Sequence, residues 1–188
     1  TLGAAFAFLV VGISLKLALF PLHLWLPNAY TYAPSVVSAF LAATATKVSV
    51  YVYIRFFYSI FGTEYTFDTL RLDYFIVPLA LVGIVVASLV AIFQTDIKRM
   101  LAYSSIAQIS YMMLGIGLMS VTGLTATLVH LFNHALMKGA LFLAMGCVVY
   151  RMGSANLTDM RGLGRQMPFT MAAFVLAGLS LIGVPLTV

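Results

Sequence analysis

Apolar residues form six long runs along the chain, and short stretches that hold most of the polar residues separate them. By residue number the runs cover about 2–20, 35–61, 74–95, 100–120, 124–150 and 168–188. Each run is close to the roughly 20 residues that a helix needs to cross about 30 Å of hydrocarbon. The pattern therefore predicts an all-α, polytopic transmembrane helix bundle with about six spans.

Five connections link these runs, and their chemistry differs. They are a proline-rich piece from Pro21 to Pro34, an acidic loop from Gly62 to Asp73, the short Asp96–Arg99, a turn near Thr122 and Gly123, and a basic loop from Arg151 to Met167. Asp96 is expected to cap the helix that follows it. One side of the bundle collects Lys98, Arg99, Arg151, Arg161 and Arg165, and the positive-inside rule predicts that this side is cytoplasmic.

The first connection is too apolar for a solvated loop, although it contains Pro21 and Pro27. Proline is poorly tolerated inside a continuous helix. A broken helix is tolerated at membrane depth only where the freed backbone is buried in protein or lines a wet cavity. Transporters place such breaks at their ion sites. We expect a helix break here and a second one from Leu181 to Pro185.

Composition supports a membrane bundle and narrows the classes of function. The chain is 63% hydrophobic and 8% charged, whereas a soluble domain is about 25% charged. The net charge of +5 is expected to set topology, because no basic helix offers a surface for nucleic acid. Cys147 stands alone in an apolar run and is expected to be buried. We expect residues 1–188 to form a single transmembrane domain, a fragment of a longer protein.

Two lysines lie near the centres of apolar runs, Lys47 in the second and Lys138 in the fifth. A basic residue at the centre of a membrane helix costs roughly 2.5–3.5 kcal/mol on insertion scales, and such residues almost always face the bundle interior or water. Burial disfavours the charged form of a lysine and so allows it to exchange protons. A proton pathway is the functional interpretation; hydrogen bonds to neighbouring carbonyls are the structural one.

The fifth run also contains His130 and His134, which precede Lys138 at helical spacing, with Asn133 alongside. Residues four apart share a helix face, so three titratable groups fall in one row. Histidine titrates near neutral pH and has two nitrogens that accept and donate protons. A zinc site needs three or four ligands, and the run supplies no carboxylate or further Cys/His pair. The row therefore predicts a proton pathway and no metal.

Lys16, His23 and Trp25 flank or occupy the first break. Position alone leaves two interpretations of Lys16. It takes part in a pathway next to the break, or its side chain snorkels to the nearby interface. His23 is an auxiliary candidate that would extend the pathway inward, and Trp25 is expected to anchor the interface.

The fourth run adds uncharged polar residues. Ser104, Gln108 and Tyr111 share a helix face. They suit either a water-bridged proton path or polar contacts between helices, and the sequence leaves both interpretations open.

Several of these segments together resemble a known family. They are Lys16-Leu17-Ala18-Leu19-Phe20-Pro21-Leu22-His23-Leu24-Trp25-Leu26-Pro27-Asn28-Ala29-Tyr30 with Ala33-Pro34, then Thr46-Lys47-Val48, then Thr95-Asp96-Ile97-Lys98-Arg99-Met100-Leu101-Ala102-Tyr103-Ser104-Ser105, then His130-Leu131-Phe132-Asn133-His134-Ala135-Leu136-Met137-Lys138-Gly139, and finally Gly178-Leu179-Ser180-Leu181-Ile182-Gly183-Val184-Pro185. The chain resembles the antiporter-like subunits shared by Mrp-type cation/proton antiporters, respiratory complex I and membrane-bound hydrogenases. Within that family it looks most like the D-type Mrp subunits.

The resemblance implies about fourteen helices in two inverted repeats, each with one broken helix. This chain would cover the seventh helix through the start of the twelfth. Lys16 matches the lysine of the broken seventh helix, Lys47 the bridging lysine of the eighth, and His134 and Lys138 the central titratable positions of the eleventh. Gln108 stands where some members have a histidine. The family's glutamate on the fifth helix, the expected partner of Lys16, is absent from these residues.

The resemblance favours proton translocation within a monovalent cation/proton antiporter. The alternative is a proton-pumping membrane component of an NADH:quinone oxidoreductase or hydrogenase complex. No cofactor is expected in this chain, because it has no Cys cluster, Rossmann fingerprint or haem site, so it would belong to an enzyme only through assembly. Expected partners are other membrane subunits, protons, Na+ or K+, and the bilayer, which would be a bacterial inner membrane.

Overall fold

The computed structural model of the chain describes residues 2–184, which form a bundle of helices. In chain order the helices are α1 (Leu2–Leu17), α2 (Trp25–Tyr32), α3 (Ser35–Ile54), α4 (Asp73–Ile92), α5 (Ile97–Gly117), α6 (Val121–Met152), α7 (Leu163–Gln166) and α8 (Pro168–Ile182). Two π-helical turns, Arg55–Ile60 and Glu64–Thr69, and one 3-10 turn, Leu157–Met160, complete them. The predicted all-α fold is confirmed.

Among residues 2–184, three stretches are long and apolar enough to cross a membrane, namely Ser35–Ile60, Asp73–Ile92 and Val121–Met152. Helices α1 and α8 are shorter apolar helices. Helix α5 is less apolar, and 14 of its 21 residues are buried. It packs against α2, α3, α4 and α6. Because protein rather than lipid surrounds most of α5, its polar side chains find partners inside the bundle.

Helix α1 ends in the predicted break. Ala18 adopts a left-handed backbone with φ 62°, a conformation that is unfavourable for a residue with a Cβ. The amide of Leu19 then reaches back to the carbonyl of Ser14, at 3.0 Å. Pro21 has no amide hydrogen to continue the ladder. The chain therefore leaves the helix one turn before the prolines.

A side chain spans this break and stabilises it. The indole Nε1 of Trp25 donates a hydrogen bond of 2.8 Å to the carbonyl of Leu15. Trp25 is 40% exposed, so its ring also reaches the surface, where we predicted an interfacial anchor. Pro27 falls in the first turn of α2, where a missing amide hydrogen leaves no helical bond unmade.

In the part of the chain that the structure describes, helices α5 and α6 begin with side-chain caps. Asp96 accepts a hydrogen bond of 2.9 Å from the amide of Arg99, so the predicted cap of α5 is confirmed. The predicted turn at Thr122 and Gly123 is wrong by a few residues, because both lie inside α6. The Ser120 hydroxyl caps α6 by accepting from the amide of Gly123 at 3.0 Å, and this places the turn before residue 121.

The two basic connections lie side by side at one end of the bundle. The Ile97 amide donates to the carbonyl of Ala155 at 3.0 Å, and the Leu157 amide donates to the carbonyl of Thr95 at 2.9 Å. These bonds form an antiparallel bridge between Asp96 and the basic loop. The connection with Lys98 and Arg99 and the basic loop from Arg151 therefore share one side of the bundle, as the sequence predicted.

Two further expectations have different outcomes. Helix α8 ends at Gly183, which has a left-handed backbone with φ 87°, and Pro185 of the predicted second break lies outside the described residues. Cys147 is exposed, so the expectation of a buried thiol is wrong. It faces an apolar groove that Val36, Leu143 and other residues line. An apolar run does not distinguish a lipid-facing position from a core position.

The core consists of two apolar clusters, one at each end of the bundle. The cluster at the basic end includes Leu26, Leu101 and Phe142. The other includes Tyr53 and Met112. Helices α3, α5 and α6 each contribute to the basic-end cluster. On α3 the polar residues Thr46 and Lys47 follow the cluster residues, whereas on α6 the polar residues His130 to Lys138 precede them. The bundle thus has an apolar layer at each end and a polar layer between them.

Candidate functional site

Lys138 lies at mid-height of α6 with its side chain fully buried, at 0% exposure. It is 17 residues from the start of the 32-residue helix, which at 1.5 Å per residue is about 26 Å from that end. Its Nζ donates to the carbonyl of Leu101 at 2.8 Å and to the hydroxyl of Ser104. Helix α5 therefore supplies the partners that allow this ammonium group to be buried.

Lys47 occupies the corresponding mid-height position of α3 and is 5% exposed. Its Nζ donates to the carbonyl of Ala42 and lies 3.4 Å from the hydroxyl oxygen of Thr46. The charge of Lys47 acts on both Lys138 and His134 across the α3–α6 contact. Two lysines from different helices thus share the polar layer.

His134 lies on α6 between these lysines and His130. It is 0% exposed, and neither ring nitrogen has a hydrogen-bond partner among the described residues. Its ring stacks on that of His130, with centroids 5.6 Å apart and planes at 11°. A buried polar group without a protein partner is normally satisfied by water.

His130 connects the row to a cavity. Its Nε2 lies 2.6 Å from Oε1 of Gln108, on α5. Both residues line a cavity of about 720 Å³ between α5, α6 and the end of α8. Tyr111 and Thr127 line the same cavity. The row that begins at the lysines thus ends where there is room for water.

The remaining auxiliary candidates are distributed unevenly. Ser104 contacts Lys138 directly. Asn133 instead lines a separate cavity of about 360 Å³ between α6 and α8. Tyr111 is 49% exposed. His23 is 6% exposed, and its ring stands edge-on to Tyr103 with centroids 6.4 Å apart. His23 therefore lies next to the polar layer on the basic side of the bundle.

Lys16 is not brought together with the other lysines. Its side chain is exposed, whereas Phe6, Ser14 and Leu17 of α1 are buried. Helix α1 packs on α3 through that buried face, and Lys16, two residues from Ser14, points away from it. Within residues 2–184 it has no ion-pair partner. Lys16 thus lies apart from Lys47 and from the row His130, His134 and Lys138.

Two residues of the site were not predicted from the sequence as carriers of chemistry. Thr46 is fully buried, with its hydroxyl oxygen 3.4 Å from Nζ of Lys47. Tyr30 of α2 is 1% exposed, and its hydroxyl donates to the carbonyl of Leu41 on α3 at 3.2 Å. In the sequence analysis both residues appear only within the segments that carry the family resemblance, with no role assigned to them. Two hydroxyl residues near a membrane lysine are a weak signal, because serine and threonine often bond to their own helix. Only the burial of Thr46 beside Lys47 and the contact of Tyr30 with α3 identify them.

Comparison with known proteins gives a match over the full chain. Residues 1–188 match the family described as NADH:quinone oxidoreductase/Mrp antiporter, TM. The chain is 45% identical over 183 residues to NADH-quinone oxidoreductase subunit N of Desulforudis audaxviator (strain MP104C). That alignment covers 97% of this chain and 36% of the relative. The chain is 36% identical to a component of a probable K(+)/H(+) antiporter of Rhizobium meliloti (strain 1021), covering 98% of this chain and 18% of that protein.

The same architecture is present in a solved membrane complex. The structure of the Mrp complex from Dietzia sp. DQ12-45-1b superposes on this chain with a TM-score of 0.90 at 31% identity. The match covers 97% of this chain and 33% of that one. These proteins are membrane subunits of multi-subunit complexes, and this chain spans about a third or less of the length of each.

Proposed function

Because the chain belongs to the NADH:quinone oxidoreductase/Mrp antiporter transmembrane family, we propose that it carries protons across the membrane through Lys47, Lys138, His134 and His130. One observation carries this proposal. Four titratable side chains from two helices form a polar layer between two apolar clusters, and the row ends at a cavity. Burying such groups is costly, and in membranes they mark ion and proton paths.

Geometry suggests how the row works. The rings of His130 and His134 are 5.6 Å apart between centroids, whereas direct proton transfer needs about 2.6–3.2 Å between heavy atoms or one bridging water. Both nitrogens of His134 are available to such waters. Each histidine can accept a proton on one nitrogen and release one from the other. Water and imidazole would therefore alternate along the row.

Like charges supply a driving force for the transfer. Lys47 acts on Lys138, on His134 and on His130. Two unit charges about 10 Å apart repel by roughly 1.7 kcal/mol at an effective dielectric of about 20. Protonation at one position therefore favours release from its neighbour. A proton entering the layer at the lysines would move the next one towards His130 and the cavity.

The central experiment measures gradient-driven proton flux in native membrane vesicles that contain the complete protein in its complex. We expect Lys47→Ala and Lys138→Ala each to abolish flux while the complex still assembles. Lys98→Ala is the matched control, because Lys98 is also a buried lysine, 6% exposed, but lies at the basic end of α5. Flux in that variant should stay near the wild-type level.

A different result would contradict the proposal. If both midplane variants assemble and transport protons at the wild-type rate, the lysines only hold α3, α5 and α6 together. If Lys98→Ala abolishes flux as completely as they do, buried charge in general is needed for folding, and the row has no special part.

The similarity to NADH-quinone oxidoreductase subunit N favours a place in a redox-driven, proton-pumping complex. A cation/proton antiporter is the second candidate, and the likeness to the Mrp complex and to the K(+)/H(+) antiporter component favours it. The finer prediction of a D-type Mrp subunit stays a prediction. In either assembly the chain would contact other membrane subunits in a bacterial inner membrane.

The driving force separates these two candidates. A redox pump acidifies or alkalises vesicles when an electron donor such as NADH and a quinone are supplied, without a Na+ or K+ gradient. An antiporter does so when a Na+ or K+ gradient is imposed, without a donor. Proton flux that responds only to the donor would support the redox complex, and flux that responds only to the cation would support the antiporter.

A further inference from the structure

An apolar groove lies on the surface of the bundle between the start of α3 and the last third of α6. Its volume is about 630 Å³, which falls within the range of roughly 300–1,000 Å³ that small-ligand sites occupy. On α6 it is lined by Leu143, Gly146, Cys147 and Tyr150, whose spacing places them on one helix face. Val36 lines it from α3. The groove therefore follows α6 along its length.

The large side chains that line the groove are exposed, and small residues lie where the two helices meet. Val36 is 75% exposed, Leu143 56% and Tyr150 95%, so the groove opens onto the surface of the bundle. A Cβ added to Gly146 would lie 3.2 Å from that of Ser35. The absence of a side chain at Gly146 therefore lets α6 approach the start of α3 and leaves an apolar cleft beside this contact.

The length of the groove corresponds to one leaflet of a bilayer. Leu143 and Arg151 are eight residues apart, which is about 12 Å of helix at 1.5 Å per residue. One leaflet contributes roughly 15 Å to a hydrocarbon core that is about 30 Å thick. A neighbouring membrane helix would pack along α6 through both leaflets, whereas the lining residues of α6 begin only at Leu143. An acyl chain of the leaflet at the basic end fits this length.

Arg151 supplies a positive charge at the basic end of the groove. It follows Cys147 by four residues and so continues the same helix face, and it is exposed in the last turn of α6. Within residues 2–184 no carboxylate pairs with it. Asp159, the acid of the basic loop, accepts from the hydroxyl of Ser154 at 2.6 Å. Basic pockets between membrane helices on the cytoplasmic side bind anionic lipid headgroups, so the charge of Arg151 complements a lipid phosphate.

We propose that this groove binds an anionic phospholipid, with one acyl chain along Leu143, Cys147 and Tyr150 and the phosphate at Arg151. The guanidinium group is a planar fork of donors that matches the oxygens of a phosphate. The inference goes beyond the proposed proton pathway and does not depend on it. Lys138 of the same helix is 0% exposed, so the pathway lies on the buried face of α6 and the groove on the exposed one.

The test uses the complete protein, assembled in its complex and reconstituted into phosphatidylcholine vesicles. The vesicles contain a small fraction of phosphatidylglycerol that carries a photoreactive group at the end of one acyl chain. Light links the bound chain to the protein, and mass spectrometry identifies the labelled peptides. We expect label on the α6 peptide that contains Leu143. Photoreactive phosphatidylcholine with the same acyl chain should label that peptide far less, because its headgroup has no net negative charge.

Replacement of Arg151 separates charge from fit. Arg151→Gln should lower the labelling by phosphatidylglycerol about tenfold, which is the effect expected from losing a hydrogen bond between charged groups. Arg151→Lys keeps the charge and should retain most of the label. Arg161→Gln is the matched control, because it removes another exposed arginine of the basic loop that lines a separate pocket. That variant should label like the wild type.

Filling the groove tests the position of the acyl chain. Cys147→Trp places a large ring among the lining residues and should remove the label from α6. Ala172→Trp is the matched control, because it adds the same ring at an exposed position of α8 outside the groove. The label on α6 should not change in that variant. The amount of assembled complex is the reference for every variant.

Each outcome supports or overturns the inference. Equal labelling by the two lipids would show contact with bulk lipid only, and equal loss in Arg151→Gln and Arg161→Gln would show a general effect of charge. Either result overturns the inference. It is also overturned if the α6 peptide stays unlabelled, and a thiol crosslink from Cys147 to another subunit would then identify a protein in the groove. Should Cys147→Trp not assemble, the contrast between glutamine and lysine at position 151 decides alone.

Discussion

The imidazole rings of His130 and His134 stack with centroids 5.6 Å apart and planes at 11°, on successive turns of α6. The His130 ring bonds Gln108 at the cavity, whereas neither nitrogen of the His134 ring has a partner among the described residues. One end of the pair is therefore anchored at the cavity, and the other end faces the lysines. The two ends of the row His130, His134 and Lys138 therefore differ, with the cavity at one end and the lysines at the other.

Replacement of His134 by glutamine should remove the central proton carrier and keep a polar side chain of similar volume. We expect proton flux to fall by about 10²-fold, the lower range for loss of a positioned acid–base group. Flux in native vesicles is the measurement, with the amount of assembled complex as the reference. Flux at the wild-type rate would show that His134 serves packing only.

Gln108→Leu should leave His130 without its hydrogen-bond partner at the cavity. We expect flux to decrease by about tenfold, because a hydrogen bond of typical strength positions the ring. Gln108→His should keep most of the flux, since imidazole replaces the amide as a partner. The control is Gln94→Leu, whose amide bonds the carbonyl of Val90 at the end of α4, outside the row. Equal loss in the control would contradict the role of Gln108.

Trp25→Phe removes the indole donor that spans the break and keeps an aromatic ring. The carbonyl of Leu15 loses one of its two partners, the other being the amide of Ala18 at 3.1 Å. We expect a loss of about 1 kcal/mol, measured as a lower unfolding temperature in detergent. Tyr150→Phe, at a side chain that is 95% exposed, should not change that temperature. An unchanged temperature for Trp25→Phe would contradict the bridging role.

Gly115→Ala tests the close approach of α5 to α6. A Cβ at this position would lie 2.9 Å from the carbonyl oxygen of Gly123 and would also clash with Thr127. We expect destabilisation by about 1–3 kcal/mol, as is typical of overpacking, measured by thermal unfolding in detergent. Gly178→Ala is the matched control, because a Cβ added there would meet nothing within 4 Å. Similar unfolding temperatures for both variants would contradict tight packing at this crossing.

The order of the helices could be predicted from the sequence, because a long apolar run has few alternatives in a membrane. The cap at Asp96 and the break before Pro21 were also local, since each depends on residues within one turn. The turn before α6 was misplaced because Thr122 and Gly123 look like turn residues. Only the hydroxyl of Ser120, bonded three residues ahead, decides where α6 begins.

Side-chain contacts between helices, unlike the local features above, could not be predicted from the sequence. Gln108 and His130 are 22 residues apart, and Lys138 and Leu101 are 37 apart. No pattern within one helix predicts such pairs, because their distance depends on how α5 and α6 are rotated against each other. Lys16 is the clearest case. It lies in an apolar run, as Lys47 does, yet α1 packs on α3 through Ser14 and Leu17, and Lys16 is turned outward.

By itself, the sequence determined that the protein is a helical membrane bundle, where its helix breaks, and that α6 carries a row of titratable groups on one face. These features follow from the free-energy cost of exposing polar backbone and charge to hydrocarbon. That cost applies to each segment separately, before any packing against other helices. Only the tertiary structure decided that Lys47 joins this row, that Lys16 does not, and that Gln108 of α5 is the partner of His130. Those relations exist only between helices, because packing sets their rotation and separation.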